Sequence, residues 1–294
     1  MSSAGAVDQG TIQSGPFTLP YKVEGMGHPT IVIGSALYYP KVFSEHLREH
    51  LRLVFMDHRG FAPSPGPVDI SEFDLDVLVD DVERVRRELD LGPVAVVGHS
   101  GHAFMALEYA KKYPEHTSHV VMIGISPVFG ERMLTEAEEN WEAIASPDRR
   151  AAEKENMARV SDEQLAELAP DQAFIQTYIR NAARVWHNPR FDCTPFWEGV
   201  TVNMDMFGHV WGDLFTKIDV TDGLEVLDRP VFMALGRHDF IVAPPSSWDP
   251  ILPLFSDITV RVFEKSGHTP QFEEAERFDK ELLEWMQQKS QMAA

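Results

Sequence analysis

Cysteine is almost missing from this chain: Cys193 stands alone among 294 residues. A single thiol excludes an internal disulfide framework and cysteine-rich metal sites. Basic residues are scarce as well, with 26 Lys and Arg against 46 Asp and Glu, a net charge of −20. So acidic a surface repels phosphate backbones, which argues against nucleic acid as a partner. The chain has no long apolar run and no basic-then-apolar leading segment, so the expectation is a cytoplasmic protein with no signal peptide and no membrane partner. Low-complexity tracts and internal repeats are absent. What is present, 294 residues at 44% hydrophobic, suffices for one large α/β domain carrying an insertion, or for two small domains.

The most informative stretch runs from Pro93 to Leu107. An apolar, β-branched run (Val94 to Val97) enters Gly98-His99-Ser100, and a helical pattern leaves it. Strand, sharp turn and helix in that order form a nucleophile elbow, in which a strained turn holds a serine hydroxyl clear of the sheet. Gly98 suits a place where strand and helix backbones come close. The Gly101 amide, at the helix N-terminus, points an unpaired N–H toward any oxyanion formed near Ser100. A serine hydroxyl attacks only when a base takes its proton, histidine has the pKa range for that, and a carboxylate can fix the histidine tautomer. Downstream, Gly236-Arg237-His238-Asp239 and Ser266-Gly267-His268 each close an apolar strand, at the sheet edge where open α/β folds place their sites. Among twelve histidines only His268 occupies a Gly-His turn after the last strand. His102 should point away from the serine hydroxyl, and His238 should pack near the surface.

Taken together, these motifs resemble the α/β-hydrolase superfamily, most closely its proline iminopeptidase branch and esterase relatives. The resemblance covers most of the chain and is weakest between about Val128 and Glu225. It implies a mainly parallel sheet with helices on both faces and an inserted helical cap, divided as 1–127 core, 128–225 cap and 226–294 core. It also implies the order Ser100, Asp239, His268 for nucleophile, acid and base. Two departures stand out. His102 replaces the second glycine of Gly-x-Ser-x-Gly, and Ile33-Gly34-Ser35 replaces the His-Gly-x oxyanion motif, leaving the Ser35 amide as second oxyanion donor. Asp57-His58-Arg59-Gly60 resembles the family's D-x-R-G loop, with Asp57 and Arg59 expected to pair.

The remaining chain reads as alternation of strand and helix. Strands are expected at Phe17 to Val23, Thr30 to Ile33, Leu53 to Met56, Val120 to Ile125, Val231 to Leu235 and Thr259 to Phe263. Met1 to Gly10, small and polar, is expected to be disordered. Helices are expected at Lys41 to His50, from a Ser71 cap to about Leu89, at Glu136 to Ala145, Arg149 to Val160, Asp162 to Leu168 and Ala173 to Trp186, and at Ala275 to Gln288. Within the first of these, His46, Glu49 and His50 match an H-x-x-E-H zinc pattern. Lacking a downstream ligand, they read as solvated surface residues, and neither metal nor organic cofactor is expected.

The substrate is read as a small molecule or a short peptide. The iminopeptidase resemblance implies cap carboxylates for a free amine, with Glu198 and Asp205 as candidates beside Trp211. A small apolar ester or lactone, cleaved by a carboxylesterase or lactonase, stands nearly level with a prolyl peptide. A non-hydrolytic ligand receptor or a lyase on the same fold is the alternative of a different class. Whether carboxylates face Ser100 discriminates the first two.

Overall fold

The computed structural model describes residues 8–293. Eight strands form one sheet: β1 (Asp8–Ser14), β2 (Phe17–Glu24), β3 (His28–Gly34), β4 (Leu51–Asp57), β5 (Val94–His99), β6 (Thr117–Ile123), β7 (Val231–Gly236) and β8 (Ile258–Phe263). Their spatial order is β1-β2-β4-β3-β5-β6-β7-β8. β1–β2 and β2–β4 pair antiparallel, and every pairing from β4 onward is parallel. Parallel strands with both faces covered read as near-continuous apolar runs. β5 and β7 fit that rule, being buried at every residue.

Helices cover the sheet on both faces. In Leu75–Glu88 the residues Leu78, Val82 and Val85 recur at helical spacing and are buried. His102–Lys112 is apolar around most of its girth and packs on β5 and β6. The last helix, Ala275–Ala293, buries Phe278, Leu282, Trp285 and Met286, with Trp285 5.3 Å from Phe232 of β7 between ring centroids. Between β6 and β7 no strand intervenes. The chain instead runs through helices that include Glu131–Ile144, Pro147–Arg159, Asp162–Ala166, Pro170–Arg180, Ala182–Val185 and Met204–His209.

Several local expectations are corrected. Asp8–Gly10 belong to β1, so part of the stretch expected to be disordered is ordered, and residues 1–7 lie outside the described ones. The helix expected over Lys41 to His50 is a 3-10 turn (Tyr39–Lys41) and a single turn (Glu45–Arg48), interrupted where the Ser44 hydroxyl accepts from the Leu47 amide and starts the chain afresh. Ser71 caps no long helix. It lies in a 3-10 turn capped by the Asp69 carboxylate, and the helix begins after Asp74. Asp57 and Arg59 part company as well. Asp57 accepts from the Ala36 amide at 2.6 Å, while Arg59 turns to Asp81 at 2.6 Å and to Glu72. Both partners of Arg59 lie on the following helical stretch, beyond the reach of a local motif.

Candidate active site

β5, β6, β7 and β8 are neighbours and run parallel, so their C-terminal ends open on one edge of the sheet. Ser100 follows β5, Asp239 follows β7 and His268 follows β8. Topology alone therefore gathers three residues separated by up to 168 positions.

Ser100 has φ +58°, one of two non-glycine residues with positive φ among those described. A left-handed serine is strained, and such strain persists where surroundings over-determine it. The surroundings are visible. The Ser100 amide donates to Ile123 O of β6 at 2.8 Å, and its carbonyl accepts from the Ala103 amide at 2.8 Å. A Cβ on Gly98 would collide with the His102 carbonyl oxygen, so strand and helix approach over that one glycine. The second glycine is thus dispensable: the backbone of His102 meets Gly98 while its imidazole reaches other partners.

His268 is fully seated. Its Nδ1 lies 2.6 Å from Asp239 Oδ2, its amide donates to Val185 O at 2.6 Å, and its carbonyl accepts from His99 Nε2 at 2.8 Å. A carboxylate only accepts, so Nδ1 carries the proton and Nε2 is left with a lone pair. Asp239 is buried, and its other oxygen accepts from the Ile241 amide at 3.2 Å. Two glutamates after His268 brace the turn that carries it. Glu273 accepts from the amides of His187 at 2.6 Å and Gly267 at 2.7 Å, and burial pushes its carboxyl up to about 7. Glu274 accepts from Lys265 N and Ser266 Oγ, both at 2.8 Å. The sequence signal for these is the acidic pair that begins five residues beyond His268.

Ser100 and His268 line the same cavity of about 200 Å³. Among the described residues no hydrogen bond joins their side chains, a common state for a site without substrate. The amides of Gly101 and Ser35 likewise have no acceptor among the described residues, whereas Ala36 N is taken by Asp57 and the Leu37 and Tyr38 amides by Ser35 Oγ. Neither Gly101 nor Ser35 is itself part of the cavity wall.

A proton-ordered chain of histidines underlies the site. His102 Nδ1 lies 2.9 Å from His99 O and His99 Nε2 lies 2.8 Å from His268 O, so both nitrogens must be donors. His99 Nδ1 then accepts from Tyr39 Oη at 3.3 Å, and His102 Nε2 accepts from His58 Nε2 at 2.7 Å. His58 Nδ1 accepts in turn from the Gly60 amide at 2.8 Å. Each ring uses one donor and one acceptor, which requires all three to be neutral. Burial enforces this, pushing His102 down to about 4 and His58 and His99 well below the usual histidine range. His102 therefore lines the cavity with Ser100 instead of pointing away from it.

The rest of the cavity wall is apolar. Tyr38, Phe61 and Ile241 come from the core, and Phe174, Tyr178, Trp197, Phe207 and Trp211 from the inserted helices. No carboxylate and no Lys or Arg lines it. Trp211 is where the sequence places it, in the cavity. Glu198 and Asp205 are not. Glu198 is exposed, and its carbonyl accepts from Lys41 Nζ at 3.3 Å. Asp205 is exposed on a separate groove with Ser64, His209 and Asp213. The physical reason is shared: aromatic rings on these segments turn inward, and an unpaired carboxylate among them would cost several kcal/mol, so acidic neighbours turn to water.

Residues 24–275 match the family described as alpha/beta hydrolase fold. The chain belongs to that family. It is 37% identical over 279 residues to the AB hydrolase superfamily protein YclE of Bacillus subtilis (strain 168), covering 95% of this chain and 99% of the relative. The crystal structure of proline iminopeptidase from Mycobacterium smegmatis superposes with TM-score 0.75 at 17% identity, covering 98% of this α/β hydrolase and all of that chain. An esterase from Exiguobacterium antarcticum superposes with TM-score 0.59 at 18% identity, covering 92% and 96% respectively. Both structural likenesses show the fold. As for the other candidate motif, His46, Glu49 and His50 of this α/β hydrolase bring ligand atoms within 4.8 Å of one another, but all are exposed and none lines the cavity. Among the described residues no helix is long and apolar enough to cross a membrane.

Proposed function

We propose that this α/β hydrolase cleaves a small, neutral ester or lactone by a serine mechanism under a helical cap formed by residues 128–225. The observation that carries this reading is the cavity itself: about 200 Å³, aromatic, and without a carboxylate or cationic side chain. A cavity of this size, below the ~300–1,000 Å³ usual for drug-sized ligands, suits a short acyl group. A prolyl peptide would bring an ammonium into this wall with no charged partner, at a cost of several kcal/mol. The iminopeptidase reading is disfavoured for that reason, although it shares the fold.

In the first step Ser100 Oγ bonds to the carbonyl carbon and its proton passes to His268 Nε2. The carbonyl π electrons move to oxygen, which the amides of Gly101 and Ser35 stabilise. Collapse of this intermediate breaks the bond to the leaving alcohol, which takes the proton from His268, and an acyl-enzyme remains. A water, giving its proton to His268, then attacks the acyl carbon, and Ser100 leaves with that proton. Asp239 holds the tautomer and stabilises the imidazolium. The positive φ at Ser100 and the His268–Asp239 contact support these roles.

A fluorophosphonate probe should label the wild type and not Ser100→Ala. Short-chain p-nitrophenyl esters should then be hydrolysed in preference to prolyl-naphthylamide. Absence of labelling and of turnover sinks the serine-hydrolase reading in favour of a receptor or lyase, and preferred cleavage of prolyl-naphthylamide sinks the neutral-ester reading.

A further inference from the structure

Gly101 follows the candidate nucleophile, yet nothing in its backbone calls for glycine: φ is −54° and ψ −25°, ordinary helical values. The reason for its presence is spatial. A Cβ on Gly101 would sit 2.5 Å from Trp211 Nε1 and 2.9 Å from Phe215 Cε2. The missing side chain is what admits the indole, nitrogen first, against the residue whose own amide is an unpaired donor.

Trp211 comes from the inserted segment, on a π-helical turn covering Val210–Leu214. Such turns widen the helix locally and often occur at functional sites. The ring is tightly held. It stacks on Phe207 at 4.4 Å and 20°, meets Phe215 edge-on at 4.9 Å, and meets His102 edge-on at 5.3 Å. It lines the cavity with Ser100 and His268. Its Nε1–H has no acceptor among the described residues. An indole nitrogen can only donate, so it can serve a substrate oxygen brought into this cavity.

We infer that Trp211 Nε1–H is a third donor to the oxyanion that forms on the substrate carbonyl, a catalytic residue supplied by the cap. The inference rests on the serine-hydrolase reading and deepens it: the tetrahedral intermediate is stabilised from the core by Gly101 and Ser35 and from the insertion by Trp211. Glycine at 101 and tryptophan at 211 then form one functional unit.

The test replaces only the N–H. Benzothienylalanine, placed at 211 by amber suppression, keeps the bicyclic apolar shape and puts sulfur where the nitrogen was. With a short p-nitrophenyl ester, kcat should fall roughly 10- to 100-fold while KM stays within about twofold, less than the ~10²- to 10³-fold for loss of a principal oxyanion donor. The inhibition constant of a trifluoromethyl ketone, a tetrahedral mimic, should worsen by a similar factor. Trp211→Phe should show the same loss in kcat with an added rise in KM from the smaller ring. If the wild type hydrolyses the ester and the benzothienyl enzyme keeps kcat and inhibitor affinity within twofold, Trp211 is only a wall and this inference is overturned alone. If the wild type neither labels with fluorophosphonate nor hydrolyses the esters, the parent reading falls, and this one with it.

Discussion

Replacing His102 with phenylalanine keeps a planar ring in the space between Tyr39, His58 and Trp211 but removes both ring nitrogens. Near pH 7.5 the loss leaves the His58 Nε2–H and the His99 carbonyl without their partner. At about 1–3 kcal/mol for each orphaned buried group, partly relieved by relaxation, the variant should be less stable by about 3 kcal/mol. The informative part is how this gap depends on pH. Burial holds folded His102 at about 4 against 6.5 when unfolded. Since the folded pKa is the lower one, the unfolded chain binds the proton first, and the wild type loses stability as pH falls below 6.5 toward 4. Linkage puts that loss at about 2 kcal/mol between roughly pH 7.5 and pH 5 from this residue alone. The phenylalanine variant has no such proton to bind. Urea unfolding followed by tryptophan fluorescence at a series of pH values should therefore show the wild-type advantage shrinking by about 2 kcal/mol toward pH 5. A gap that stays constant with pH would refute the neutral, proton-ordered chain.

Other substitutions probe other parts. Asp239→Asn should lower kcat on an active p-nitrophenyl ester by roughly 10⁴-fold with little change in KM, because the asparagine amide favours the wrong histidine tautomer; a loss under tenfold would remove Asp239 from the mechanism. Arg59→Met leaves Asp81, 1% exposed, without its cation, and should cost about 3–5 kcal/mol in urea titrations while kcat per folded molecule stays unchanged. Gly98→Ala forces a methyl against the His102 carbonyl. Because backbone cannot give as a side chain can, its cost should exceed the ~1–3 kcal/mol of ordinary overpacking, and esterase activity should fall with it. Glu198→Gln and Asp205→Asn should leave kcat/KM for neutral esters within about twofold, and a larger drop would return them to the site.

The legible features were those carried by local pattern. Val94 to Val97 before Gly-His-Ser, and apolar strands before Asp239 and before Ser266-Gly267-His268, announce strand ends, and parallel topology does the gathering. Where partners come from distant segments, the sequence was silent. Arg59 looked toward Asp57 two residues away but pairs with Asp81 and Glu72 on the next helical stretch. The histidine chain needs β3, β4 and β5 side by side before His58, His99, His102 and Tyr39 can meet, so no spacing rule reveals it. β1 is hard to see in sequence because an edge strand is half wet and its polar face resembles a tail. The iminopeptidase resemblance implies cap carboxylates at Glu198 and Asp205, but neither resemblance nor composition says which way each side chain faces.

The contact between His268 N and Val185 O, with Phe240 N on Arg184 O beside it, has a bearing on redesign. The inserted segment that supplies much of the cavity wall also forms part of the mount for His268. A chimera that imports a whole foreign insertion removes that mount along with the old pocket wall. Grafting only the Pro170–Arg180 and Met204–His209 faces, with residues 182–187 left native, should change what fits while His268 keeps its seat.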